Sequence, residues 1–66
     1  MRTFNFNHPI TILILTFSGE TIIDCAETFR NLDHFNTWAK DQLSEVGAVH
    51  IFLSQMDYKM DYIMSY

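Results

Sequence analysis

Residues 10–17 form the most hydrophobic stretch of the chain and read ITILILTF. Successive side chains of a β-strand point to opposite faces, so Ile10, Ile12 and Ile14 share one face and the odd positions from Leu13 onward share the other. Both sets are apolar, which is typical of a strand that is buried on both sides. We therefore predict a central strand here, and each of its two faces needs a cover.

The segment before this strand alternates more weakly. Phe4 and Phe6 fall on one side, as in a half-buried strand. Pro9 cannot donate a ladder hydrogen bond, so His8-Pro9 marks either a kink within one long strand or a turn between two strands. We favour the kink, which extends the first strand over about residues 2–17.

Two further strands are predicted from the same kind of pattern. Residues 18–20 read SGE, a turn signal that joins the first strand by a tight hairpin to a second strand at about residues 21–27. Residues 48–54 read AVHIFLS and predict a third strand, in which apolar side chains occur on both faces.

Between these strands the apolar spacing changes to three and four residues, which predicts an amphipathic helix at about residues 32–46. Its apolar stripe consists of Leu32, Phe35, Trp38, Ala39, Leu43 and Val46. Asn31 is the expected N-cap, Asp33 places negative charge in the first turn, and Gly47 is the expected terminator. We expect the stripe to pack on one face of the sheet.

The C-terminal tail contains three copies of a Met-x-Tyr pattern. In a strand at about residues 57–64 all of them would share one face, and the set is Met56, Tyr58, Met60, Tyr62, Met64 and Tyr66. Gln55 and its neighbours would form the turn before this strand, although no glycine marks it. The Met/Tyr face either packs under the helix or forms a protein interface, in which Tyr58, Tyr62 and Tyr66 contact the partner.

The predicted fold is therefore α+β: a single small domain over residues 1–66, with two hairpins in the order β-β-α-β-β and one amphipathic helix on one face of the antiparallel sheet. The second sheet face has no cover within the chain. We expect a homodimer, formed through this uncovered face or through an edge strand of the C-terminal hairpin.

The charge and the cysteine content of the chain restrict which partners and which cellular compartment are expected. Eight acidic residues against four basic ones give a net charge of −4, which argues against direct nucleic-acid binding and favours a partner protein with a basic or neutral surface. Cys25 is the only cysteine, so an intrachain disulfide is impossible and a reducing cytoplasm is expected. The apolar run is too short to span a membrane, and no membrane association is expected.

No arrangement of residues predicts catalysis, a metal or a cofactor. The three histidines, His8, His34 and His50, fall in three different predicted elements, and none has a second ligand at metal-binding spacing. Cys25 is expected to be a small hydrophobic side chain and not a reactive thiol. We therefore predict no catalytic, metal or cofactor-binding residues, and a protein that is not an enzyme.

The outer side of the predicted helix carries an acidic ridge, defined as Asp33, Thr37, Asp41 and Glu45 at intervals of four residues. Such a ridge is ordinarily a solvated surface. Its alternative role is docking of a basic partner through Asp33, Asp41 and Glu45, including imitation of a phosphate row, which Lys40 weakens.

These observations favour a small acidic protein-binding domain that acts as an inhibitor or modulator by occluding a partner's surface. Viruses and mobile elements use such domains against host enzymes, and this expectation rests on analogy alone. The alternatives are a structural subunit of a larger assembly and an acidic nucleic-acid mimic that blocks a DNA- or RNA-binding protein.

Overall fold

The computed structural model describes residues 3–65 and has four strands and one helix in the predicted order. The elements are β1 (Ile10–Thr16), β2 (Thr21–Glu27), α1 (Leu32–Gln42), β3 (Val49–Gln55) and β4 (Tyr58–Met64). The strands form one antiparallel sheet in the order β2-β1-β3-β4. The predicted α+β class and β-β-α-β-β layout are confirmed, and the hydrophobic strand β1 is central.

The core lies between the helix and one face of the two central strands. Ile12 is opposite Leu53 and Ile14 is opposite Ile51 in the sheet. All four side chains are fully buried, as are the helix residues that share their core cluster, Phe35, Ala39 and Leu43. This face of the sheet is called the helix side below. The apolar stripe of the helix therefore packs on the sheet as predicted.

The helix begins where the sequence predicts and ends earlier. The Asn31 side chain accepts a hydrogen bond of 2.8 Å from the backbone N–H of His34, which is the predicted N-cap interaction. The prediction that the helix continues to residue 46 is wrong, because α1 ends at Gln42 and residues 43–46 form a turn. The chain must reverse direction between α1 and β3. Gly47 makes this possible by adopting a φ of 89°, a conformation that side-chain-bearing residues rarely adopt. Val46, expected in the stripe, is exposed.

The N-terminal segment is not a strand. The prediction of one kinked strand over residues 2–17 is wrong within the described residues, since β1 begins only at Ile10. Asn5 turns the chain instead: its backbone carbonyl accepts from the His8 N–H at 3.1 Å, and its side chain accepts from the Asn7 N–H at 3.1 Å. The alternative of a turn between two strands is also wrong within the described residues, because the turn at residues 5–8 has no strand before it.

Gln55, at the end of β3, holds this segment in place. Its Nε2 donates to the carbonyls of Asn5, His8 and Pro9 at 2.8, 3.1 and 3.2 Å, and its Oε1 accepts from the Asn5 N–H at 2.6 Å. Phe4 is thereby kept in the core at 2% exposure, with its ring centroid 4.7 Å from that of Tyr58. The segment covers the end of the core and not the second sheet face.

The β3–β4 hairpin turns on two residues. Gln55 pairs with Tyr58, so Met56 and Asp57 form the loop. Met56 has a φ of 53°, a left-handed conformation that a glycine usually supplies in a hairpin turn. The strand that follows is regular over all seven pairs with β3. β2 differs, because its pairing with β1 shifts register between Ile14 and Leu15, as at a β-bulge.

Candidate protein-binding face

The second face of the sheet is a broad surface that neither the helix nor the N-terminal segment covers. We call it the open face. Alternation along the strands and the observed registers place on it Thr11, Leu13, Leu15, Asp24, Ala26, His50, Phe52, Ser54, Lys59, Asp61 and Ile63. The predicted uncovered face therefore exists, and its central positions are apolar.

Leu13 and Phe52 form the floor of the open face. They are direct cross-strand partners in β1 and β3, and both are only partly buried. The Phe52 ring stacks on the His50 ring with centroids 4.3 Å apart and planes inclined by 28°. Ile63 at the rim remains 60% exposed. Exposed apolar side chains that lie together on a protein surface often mark a binding site.

Charged side chains border this floor on both sides. A depression of about 530 Å³ is lined by Leu13 and Phe52 together with Asp24 from β2 and Lys59 and Asp61 from β4. Asp24 lies directly opposite Leu13, and Asp61 directly opposite Phe52. An apolar centre within a charged rim is the usual layout of a protein interface.

Histidine 50 connects the apolar floor to the charged rim. Its Nε2 lies 3.9 Å from Oδ2 of Asp61, a contact that becomes an ion pair when the imidazole is protonated. The face of the same ring stacks on Phe52. The open face thus combines an aromatic surface, two acidic side chains at its rim and one lysine, Lys59.

The tyrosines predicted to bind a partner lie on the other side of the sheet. Tyr58 and Tyr62 are on the helix side with Met60 and Met64, and all four are partly buried against the core. Their role in partner binding stays a prediction, and Tyr66 lies outside the described residues.

Tyr62 is tied to the helix by its hydroxyl, which donates to the Asn36 side-chain carbonyl at 3.0 Å. Burial raises the pKa of Tyr62 to about 12. Tyr62 is therefore neutral, and its hydroxyl remains a donor, throughout the physiological range.

The acidic ridge is shorter than the sequence indicates. Asp33 and Asp41 are exposed on α1, but Glu45 lies beyond the end of the helix, in the turn of residues 43–46. The three carboxylates therefore do not follow one helical surface. Their role in docking stays a prediction, and the geometry gives less support to imitation of a regular phosphate row.

Phe29 is a core residue that the sequence reasoning missed. It is 6% exposed, and its ring packs against His34, Phe35 and Trp38 with centroids 5.2–5.5 Å apart. A hydrophobic residue just before an N-cap that contacts the first turns of the helix is a known signature of a helix start. Phe29 lies two residues before Asn31, one position earlier than this signature places the residue, so the pattern alone would not have identified it.

Within residues 3–65, no three His, Cys, Asp or Glu side chains form a group that could hold a metal ion. The pKa of the Cys25 thiol is raised, first by burial and then by the charges of Glu27 and Asp24. This thiol is therefore protonated, and a weak nucleophile, at neutral pH.

In the part of the chain that the structure describes, no helix has the length and hydrophobicity needed to cross a membrane. Comparison of the sequence with protein-family models and curated proteins, and of the fold with solved structures, finds no match.

Proposed function

We propose that this chain is a non-enzymatic protein-binding domain whose open face docks on a partner protein and occludes part of its surface. The observation that carries the proposal is the pair Leu13 and Phe52, an apolar floor that the described residues bury only in part. Burial of such a floor supplies the main favourable free energy of association, at about 25 cal/mol per Å² of apolar surface.

The rim specifies the chemistry of the partner. Asp24 and Asp61 flank the floor, and the whole chain has a net charge of −4. The matching surface is an apolar projection with basic residues around it, since complementary charge at the rim directs encounter and excludes wrong partners. The lone Cys25 fits a reducing cytoplasm as the site of this interaction.

Inhibition or modulation of the partner follows from occlusion. Coverage of the partner's surface is the means by which the domain acts, with no catalytic step of its own. We propose that the partner's bound surface is one that the partner needs for its own contacts.

The test compares four tagged proteins in affinity capture with quantitative mass spectrometry. The wild type and the double variant Leu13→Thr/Phe52→Thr differ in the apolar floor, and threonine preserves strand propensity. Val46→Thr is the matched control, because Val46 is an exposed apolar residue outside the open face. Asp41→Lys tests the acidic ridge. Thermal unfolding establishes that each variant is folded.

The expected result is a protein captured by the wild type, Val46→Thr and Asp41→Lys but not by the double variant. Purified, that protein should bind the wild type directly, and the double variant at least about tenfold more weakly, as for truncation of central interface residues. Loss of binding with Asp41→Lys while the double variant still binds would overturn the proposal in favour of the acidic ridge.

A further inference from the structure

Strand β4 is an unpaired edge of the sheet with a regular backbone. In a two-residue hairpin the residues that close the turn exchange hydrogen bonds, and the paired positions then alternate. Closure by Gln55 and Tyr58 therefore directs the backbone groups of Tyr58, Met60 and Tyr62 toward β3. Those of Lys59, Asp61 and Ile63 point away from the sheet, where they can accept another strand.

The opposite edge, β2, is less suited to strand addition. Its register shift near Ile22 interrupts the regular ladder, and a bulge is one of the devices that protect an edge. Its charged residues, Asp24 and Glu27, are both acidic. Two copies of β2 would therefore bring like charges together, whereas β4 carries one charge of each sign on its open-face side.

One register of two antiparallel β4 strands matches these charges. With the two Met60 residues opposite each other on the two-fold axis, Lys59 of each copy lies opposite Asp61 of the other. A shift of the register by one step in one direction places the two Asp61 residues opposite each other and pairs Lys59 with Ile63. The same shift in the other direction places the two Lys59 residues together. Opposite charges on facing strands stabilise a pair, and like charges destabilise it.

The helix side of the same register is also complementary. Tyr58 lies opposite Tyr62 of the second copy, and the two Met60 side chains meet at the axis. These side chains are only partly buried in a single copy. A second β4 would cover their outer flank, and aromatic and methionine side chains are enriched in such interface centres.

We propose that β4 is a self-association edge, and that two copies of this chain form a continuous eight-stranded antiparallel sheet in the register that pairs Lys59 with Asp61. Lys59 selects this register. Its charge is opposite to that of Asp61, which it faces here, and the two shifted registers bring like charges together. The two open faces lie on the same side of the joined sheet and remain free, so this proposal goes beyond the proposed function and is tested separately from it.

The first test is a charge exchange followed by sedimentation equilibrium. The wild type should show a dimer of twice the 7.8 kDa chain mass. Lys59→Glu and Asp61→Lys alone should each raise the dimer Kd by about tenfold or more, because each change makes two symmetric pairs repulsive. An equimolar mixture of the two variants restores both attractive pairs, so heterodimers should form with about the wild-type Kd. The double variant Lys59→Glu/Asp61→Lys should likewise regain it.

The second test reads the register directly. In a Cys25→Ala background, Met60→Cys should form an intermolecular disulfide under mild oxidation, because facing residues of a non-hydrogen-bonded pair have Cα atoms about 4.5 Å apart. Met64→Cys is the matched control on the same strand and side; it lies away from the axis and should remain monomeric on a non-reducing gel.

Three outcomes would overturn the proposal. The first is a monomer at millimolar concentration. The second is a dimer that both charge variants leave unchanged and that Leu13→Thr/Phe52→Thr abolishes, which would place self-association on the open face. The third is cross-linking at Met64 and not at Met60, which would show a different register.

Discussion

Replacement of Gln55 by alanine should release the N-terminal segment from the sheet. The side-chain amide of Gln55 makes four hydrogen bonds to the backbone of Asn5, His8 and Pro9. The Nε2 group has two hydrogens for three carbonyl acceptors, so one hydrogen is shared. Without the amide, these backbone groups form hydrogen bonds with water, and the segment that holds Phe4 in the core is no longer fixed to β3.

The expected magnitude follows from this geometry. Each bond contributes about 0.5 kcal/mol, at the low end of the usual range, because the backbone partners can reach water once the side chain is gone. The four bonds together predict a loss of about 2 kcal/mol in the free energy of unfolding for Gln55→Ala. Gln55→Glu should cost more, about 3 kcal/mol, because a carboxylate cannot donate and would face three carbonyl oxygens.

Urea unfolding followed by circular dichroism measures the change, and Gln42→Ala is the matched control. Gln42 is an exposed glutamine at the end of α1, so its replacement should shift the free energy of unfolding by less than about 0.5 kcal/mol. Hydrogen exchange should show faster exchange at the backbone N–H groups of residues 5–8 in Gln55→Ala. Equal stability of Gln55→Ala and Gln42→Ala would refute the reasoning.

Three other changes test separate parts of the fold. Met56→Gly should raise the free energy of unfolding by about 0.5–1 kcal/mol, because relief of the left-handed strain exceeds the entropy cost of glycine; urea unfolding that shows destabilisation would contradict it. Stability should fall from pH 10 to pH 12, because the folded state keeps the Tyr62 proton that the unfolded chain releases; partial exposure limits the loss, and Tyr62→Phe should reduce it but leave the part due to the Cys25 thiol, whose pKa is also raised. Trp38→Ala should cost about 3 kcal/mol through lost contact with Phe29 and Phe35, and an unchanged melting temperature would show that these rings do not stabilise the domain.

Short-range patterns were sufficient to predict the elements and their order. The apolar run of β1, the stripe of α1 and the N-cap at Asn31 each depend on residues within a few positions of one another. The second sheet face without cover also follows from alternation within β1, because one helix can cover only one face. Its floor needs the β1–β3 register as well, which places Phe52 beside Leu13.

Long-range contacts account for what the sequence did not reveal. The N-terminal segment turns because Gln55, 46–50 residues away in the chain, binds its backbone. A pattern of neighbouring residues cannot predict a contact over that distance in sequence. For the same reason, the sequence did not determine whether the Met/Tyr face lies on the helix side or on the other side of the sheet. It was decided by the register that sets Met60 opposite Leu53 and by the bond from Tyr62 to Asn36.

Carbethoxylation of the three histidines in the purified complex with the captured partner tests the open face most directly, because each histidine reports a different surface. His50 lies on the open face, His34 in the first turn of α1, and His8 in the N-terminal turn. Docking through the open face predicts that binding slows modification of His50 strongly and leaves His8 and His34 at their rates in the free protein. Dimerisation through β4, as proposed above, should leave all three rates unchanged. Protection of His34 with an unchanged rate at His50 would contradict the account and place the partner on the helix.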